Sequence, residues 1–261
     1  DFAEPERGAS LASALETWHR RADGVACCNY GFHMTIKDWD QRIRAELRDM
    51  TAAGVTSYMV YMAYDTLRLP DGVIYEVLQA VAEEGGVTGC HCENGDLVTQ
   101  GIRTQKAAGN LSPAAHPLSR PAAVEAEAVT RYLTIAELAG APVNIVHLST
   151  ARGLEAVRAA RARGQKLYVE TCPQYLLLDE SCYRLPGFEG AKYVYGNFIM
   201  SGTSPTTFSP STPVSRGMIM QILYNMVGQP DVVGGSNFTD VDEDYWSADA
   251  IAWAVANGVA G

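Results

Sequence analysis

The chain has 261 residues, 47% of them hydrophobic, and its 30 acidic residues outnumber its 20 basic ones. This length suits one large α/β domain or two ordinary ones, and the apolar fraction can fill a sizeable core. The net charge of −10 disfavours binding to nucleic acid and to anionic lipid, because both need a basic surface. Neither a membrane span nor a signal peptide is predicted from the hydropathy pattern and the acidic first residues.

Up to about Val194, apolar segments alternate with helical patterns, which is the rhythm of βαβ units and a parallel sheet. Four helices with glycine stops are predicted at Asp38–Ala53, Gly72–Glu84, Pro121–Ala139 and Ala151–Arg163. A strand is predicted after each of them, at Val55–Met62, Val87–Cys92, Val143–Leu148 and Lys166–Thr171. Because four or five βα units are too few to close an eight-stranded barrel, the pattern predicts an α/β fold with a partial barrel.

The composition changes near Tyr195. Residues 196–261 contain one basic residue, Arg216, against six acidic residues. This change predicts a boundary between one domain at residues 1–194 and a second at 195–261.

Two histidines stand where apolar strands give way to polar loops. His91 is followed by Cys-Glu-Asn and His147 by Leu-Ser-Thr. In parallel βα folds the active site lies at the carboxyl ends of the strands, and neighbouring strands can aim two imidazoles at one zinc ion. On this pattern alone, two hydrogen-bonded structural histidines are the alternative.

The cysteines do not form a disulfide or zinc-ribbon pattern. Cys90 and Cys92 flank His91, and strand alternation places both thiols on the face opposite the histidine. They are predicted to be buried structural thiols.

Five long strings stand out in the first part of the chain: "SYMVYMAYDTL", "GCHCENGDLV", "NLSPAAHPLSRPAAVEAEAVTR", "NIVHLSTARGLEAV" and "YVETCPQYLLLDES". Together they resemble the hydantoinase and dihydropyrimidinase branch of the amidohydrolase superfamily. The resemblance covers nearly all of residues 1–194. It implies a (β/α)8 barrel of the TIM type with two zinc ions bridged by a carboxylated lysine, and hydrolysis of cyclic amides such as hydantoins and dihydropyrimidines.

The resemblance carries over to three residues. His91 and His147 match two ligands of one zinc ion, and Tyr64 matches the tyrosine that hydrogen-bonds the developing oxyanion. A packing aromatic at a strand end is the alternative for Tyr64. Glu93 and Asn94 are expected to support their loop and not to contact substrate.

The chain also departs from the family. Met59 occupies the position of the bridging lysine, and a thioether cannot take up carbon dioxide to become a carbamate. The first metal motif of the family, His-x-His, would lie upstream of Asp1, and two of six ligands are retained. A normal binuclear site is therefore not expected, rescue by the nearby Asp65 is disfavoured, and turnover by this chain alone is expected to be negligible.

The tail resembles a different family. "TFSPSTPVSRG" before an amphipathic helix and "FTDV" before a tryptophan are similar to S-layer homology repeats. That resemblance implies a helical segment that attaches bacterial proteins to cell-wall polymers. Arg216 matches a basic position of the repeats that could pair with an anionic sugar, and a solvated arginine is the alternative.

Three hypotheses follow: a zinc-dependent cyclic amide hydrolase, a non-catalytic scaffold of the same fold, and a cell-wall-binding protein. The expected partners are a small cyclic amide, a second copy of the chain and a cell-wall polymer. The enzyme part predicts a cytoplasmic protein. A functional tail with an export signal upstream would instead place the protein at the cell surface.

Overall fold

The computed structural model describes residues 2–26, 29–176, 178–184, 216–232, 234–235, 238–239, 241–242 and 244–259. The chain divides into two compact units, Asp1–Leu177 and Leu178–Gly261. The domain boundary predicted between residues 194 and 195 lies outside the described residues.

Six parallel strands form the sheet of the first unit, hydrogen-bonded to one another in chain order. They are β1 (Phe2–Ala3), β2 (His33–Thr35), β3 (Ser57–Tyr61), β4 (Val87–His91), β5 (Val143–Ile145) and β6 (Leu167–Val169). A parallel sheet in sequential order with helices between the strands is the wall of a (β/α) barrel. The four strands that stand out in the sequence are β3 to β6. β1 and β2 have only two and three residues, too few for an apolar run to mark them.

Seven α-helices connect or follow these strands in the described part of the first unit. They are α1 (Leu11–Ala22), α2 (Gln41–Ala52), α3 (Asp71–Glu83), α4 (Gly95–Ala107), α5 (Ala115–Ser119), α6 (Ala122–Ala139) and α7 (Ala151–Ala162). The four predicted helices correspond to α2, α3, α6 and α7. Gly140 ends α6 with φ +66, a left-handed conformation in which a side chain is disfavoured.

The core of the first unit lies between one face of the sheet and the apolar stripes of the helices. Ile74 and Val77 of α3 and Val129 of α6 are fully buried in it. Cys90 and Cys92 are free thiols within this core, as predicted, and burial raises the pKa of the Cys90 thiol. Burying such apolar side chains provides most of the free energy that holds the helices on the sheet.

Tyr132 brings a polar group into this core. Its ring is fully buried and its hydroxyl donates a hydrogen bond of 2.9 Å to the carbonyl oxygen of Thr88 on β4. We expect Tyr132→Phe to lower the free energy of unfolding by about 1–3 kcal/mol, since a buried acceptor loses a partner. Urea unfolding measures this loss. The control Tyr168→Phe, at a 52% exposed tyrosine, should change stability by less than about 0.5 kcal/mol, and equal midpoints for both variants would contradict the assignment.

The second unit contains two described α-helices, α8 (Arg216–Met226) and α9 (Ala248–Ala256). The rings of Tyr224 and Trp253 lie 5.9 Å apart and join the two helices. Next to them is a cavity of about 300 Å³, lined in part by Gln221, Tyr245 and Trp246. Within the described ranges of both units, no helix has the length and apolar character to cross a bilayer.

Candidate active site

Three side chains named by the sequence meet at one edge of the sheet. His91 is the last residue of β4, His147 follows the end of β5 by two residues, and Tyr64 follows the end of β3 by three. Because these strands are neighbours and parallel, their carboxyl ends lie side by side. The ring centroids of His91 and His147 are 4.8 Å apart, and those of Tyr64 and His91 are 5.0 Å apart.

The two imidazoles point nitrogen atoms at each other. Nδ1 of His91 and Nε2 of His147 are 2.9 Å apart, so one of them donates a hydrogen bond to the other. Two Zn–N bonds of about 2.0–2.1 Å at a tetrahedral angle place the nitrogens about 3.3 Å apart. If the distance between the two nitrogens increased by about 0.4 Å, one zinc ion could bind to both. The pair therefore supplies half of the ligands of a tetrahedral metal site.

Glu93 holds the other nitrogen of His91. Nε2 of His91 lies 2.9 Å from Oε2 of Glu93, and Nε of Arg120 lies 3.4 Å from Oε1. Burial would raise the pKa of Glu93, but the hydrogen bond and charge of His91 and the charge of Arg120 outweigh burial and lower it. The ionised carboxylate keeps the proton of His91 on Nε2 and turns the Nδ1 lone pair towards His147, as carboxylates behind metal-bound histidines do.

Backbone strain is concentrated at the same place. Tyr64 has φ +67 and His147 has φ +39, both in the left-handed region that side chains disfavour. Such conformations cost about 1–3 kcal/mol each and persist where the surroundings enforce them. Two hydrogen bonds to the Tyr64 carbonyl oxygen, from Leu67 N at 2.9 Å and Arg68 N at 2.8 Å, help to hold its loop.

The environment of His147 favours its neutral form. Burial lowers the pKa of His147 below its ordinary 6.5, and the neighbouring His91 lowers it further. We expect the metal-free chain to show a His147 titration midpoint below 6.5 by NMR, because both effects disfavour the imidazolium ion. As the pH falls, His147 is therefore protonated in the unfolded chain before it is protonated in the folded chain. This lowers the free energy of unfolding at pH values below the ordinary pKa of the histidine. A midpoint at or above 6.5 would contradict this environment.

Met59 lies on the same face of the sheet as His91, one residue pair further from the strand ends. Its register partner on β4 is Gly89, and the next pair on this face is Tyr61 with His91. The side chain is 2% exposed, and its Sδ is 3.4 Å from the place where a Cβ on Gly89 would be. This apolar packing offers no anion to a pair of metal ions.

In the part of the chain that the structure describes, other groups do not replace the missing ligands. Asp65 is exposed and forms an ion pair of 3.1 Å with Arg68. His19 contacts Asp23 and His33 contacts Ser57. Among the residues that the structure describes, no group of three or more His, Cys, Asp or Glu side chains is arranged to hold a metal ion. The donor set therefore fits one ion held by two histidines and does not fit a bridged pair of ions.

Comparisons with known proteins show what the chain is similar to. The chain is 40% identical to a D-hydantoinase of Geobacillus stearothermophilus over 75% of its own length and 42% of that protein. It is 34% identical to a dihydropyrimidinase of Rattus norvegicus over 92% of its length and 44% of that protein. A solved D-hydantoinase from a Bacillus species superposes with a TM-score of 0.71 at 38% identity, covering 74% of this chain and 43% of the other.

The N-terminal part of the chain is homologous to the hydantoinases and dihydropyrimidinases. The hydantoinase-like part spans less than half the length of these curated relatives. At the other end, residues 237–261 match the S-layer homology domain. The predicted fold class is confirmed: a parallel α/β sheet related to the TIM-type barrel of hydantoinases, followed by an S-layer homology segment.

Proposed function

We propose that the first unit is a hydantoinase-type cyclic amide hydrolase barrel that keeps half of its zinc site and does not turn over substrate as this chain. The observation that supports the retained half is the 2.9 Å approach of His91 Nδ1 and His147 Nε2. Met59, buried where the resemblance places the bridging lysine, supports the loss of turnover. The presence of Met59 at this position also favours a non-catalytic scaffold as the present role of the fold.

Each residue of the proposed site has a separate task. His91 and His147 would hold one zinc ion, and Glu93 keeps His91 in the tautomer that would bind it. When bound, zinc polarises a carbonyl oxygen and makes a water molecule more acidic. The phenol of Tyr64 would donate a hydrogen bond to the ring carbonyl oxygen of a bound cyclic amide, the atom on which negative charge would develop if the ring were opened. The ring is 43% exposed, so a small cyclic amide can reach it.

Hydrolysis of hydantoin by the full chain with added zinc tests this proposal. We expect no zinc-dependent turnover above the buffer rate, because one ion on two histidines lacks the charge compensation of a bridged pair. A D-hydantoinase assayed in parallel shows that the substrate and metal are competent. Sustained turnover that requires zinc and is lost in His147→Ala would overturn the claim of inactivity.

We propose a second function for the tail, attachment to a cell-wall polymer. The match of residues 237–261 to the S-layer homology domain supports it, and Tyr245 and Trp246 are exposed beside the cavity of the second unit. We assign residues 1–194 to the barrel and residues 195–261 to the repeat segment. Attachment through the repeat segment would hold the protein at the cell surface.

Co-sedimentation with purified bacterial cell wall tests the second function. We expect the full chain to sediment and a chain truncated before Tyr195 to stay in solution. Equal sedimentation of both would contradict attachment through the tail.

A further inference from the structure

The loop that follows His91 and the loop that carries His147 are both hydrogen-bonded to the beginning of α6. This helix contributes no side chain to the pair itself. Its first two turns nevertheless contact the residues that follow each histidine. The geometry of the pair therefore depends on side chains outside it.

Glu125 of α6 holds the loop of His147. Oε1 accepts hydrogen bonds from the backbone nitrogen and the hydroxyl of Ser149, each 2.9 Å long. Oε2 accepts from the backbone nitrogen of Thr150 at 2.8 Å and from its hydroxyl. Four donors thus converge on one carboxylate two and three residues after the strained His147, and bonds of this charged type are the stronger kind.

Close packing around Gly153 preserves this contact. A Cβ added to Gly153 would lie 2.9 Å from Oε2 of Glu125 and 3.2 Å from the Thr150 hydroxyl oxygen. The same hydroxyl accepts from Gly153 N at 3.0 Å and caps α7. Glycine at this position therefore leaves room for the carboxylate between α6 and α7.

Two other residues of α6 hold the loop that follows His91. Asn94 N donates to the carbonyl oxygen of Val124 at 3.2 Å, and Asn94 Nδ2 donates to Oε2 of Glu127 at 2.7 Å. The side-chain oxygen of Asn94 also caps α4 by accepting from Leu97 N. The loop after His91 is thereby tied to the same two turns that hold the loop after His147.

We propose that residues 124–127 of α6 are the positioning element that sets the distance between His91 and His147, with Glu125 as its principal residue. Its effect on zinc rests on the proposed function, whereas its effect on the metal-free pair does not. Glu125→Gln tests the role because an amide has one acceptor oxygen and turns an NH2 group towards backbone N–H donors. Glu137→Gln is the matched control, at an exposed glutamate of the same helix that is paired with Arg163.

The first readout is the scalar coupling across the hydrogen bond between His91 Nδ1 and His147 Nε2 in the metal-free, ¹⁵N-labelled chain. The second is the zinc dissociation constant by calorimetry. We expect Glu125→Gln to abolish the coupling and to weaken zinc binding by about 10–100-fold, the range for partners that orient metal ligands. Glu137→Gln should leave both unchanged. Ser149→Ala, which removes one of the four donors, should shift both readouts less in the same direction.

The outcomes separate this role from the zinc site. Coupling and affinity that persist in Glu125→Gln would overturn the proposal. If the wild type binds no zinc but loses its coupling in Glu125→Gln, the zinc half-site fails while the positioning role is supported. Should Glu125→Gln fail to fold by circular dichroism, Ser149→Ala decides the matter, and unchanged coupling there would also overturn the proposal.

Discussion

Replacing His91 with alanine is expected to weaken zinc binding by at least about 100-fold, more than the loss of a partner that only orients a ligand. With His91 gone, His147 is left as one imidazole and Glu93 loses the ring that it orients. His147→Ala should have an effect of similar size, because each ring supplies one of two converging nitrogens. Isothermal titration calorimetry of the full chain with zinc measures both affinities.

The control for these variants is His19→Ala, which removes a histidine that contacts Asp23 on the surface of α1. It should leave the affinity unchanged. If all three variants bind zinc as the wild type does, the ion is held elsewhere and the proposed half-site is wrong.

Met59→Lys is expected to destabilise the first unit by about 3–5 kcal/mol at pH 7, the range for an uncompensated buried charge. Met59 is 2% exposed and packs over Gly89, so the ammonium group would lose its water. Burial lowers the pKa of a lysine, and the unfolded state then binds more protons than the folded state. The deficit relative to wild type should therefore shrink as the pH rises from about 7 to 10.

Urea unfolding at both pH values measures this deficit, with Met59→Leu as the control of similar volume, expected to cost less than about 1.5 kcal/mol. Zinc binding by the lysine variant should stay at one ion. A lysine variant as stable as wild type that binds two zinc ions would instead show that the bridge of the family had been restored.

Much of the first unit follows from local sequence pattern. β3 to β6 and the helices before them are marked by apolar runs and glycine stops, and both signals act over a few residues. β1 and β2 are not predicted, because Phe2–Ala3 and His33–Thr35 are strands only by virtue of pairing with a neighbouring strand. That neighbour lies outside any short stretch of sequence around them. α4 is not predicted because its side chains are mostly polar, and only Gly95 and Val98 are buried.

The candidate site divides in the same way. His91 and His147 are visible in the sequence because they follow apolar strands, whereas Tyr64 was identified only through the family resemblance. The fold brings the three rings together. Their catalytic and metal-binding roles stay predictions. Glu125 was not identified, because its partners are more than 20 residues away and an acidic residue in a first helical turn has an ordinary explanation in the helix dipole.

Zinc stoichiometry tests the central claim most directly. Elemental analysis of the purified full chain, after equilibration with zinc and removal of the excess, should give one ion per chain, and the double variant His91→Ala/His147→Ala should give none. Two ions per chain, no ions in the wild type, or one ion in the double variant would each contradict a half-site built from His91 and His147.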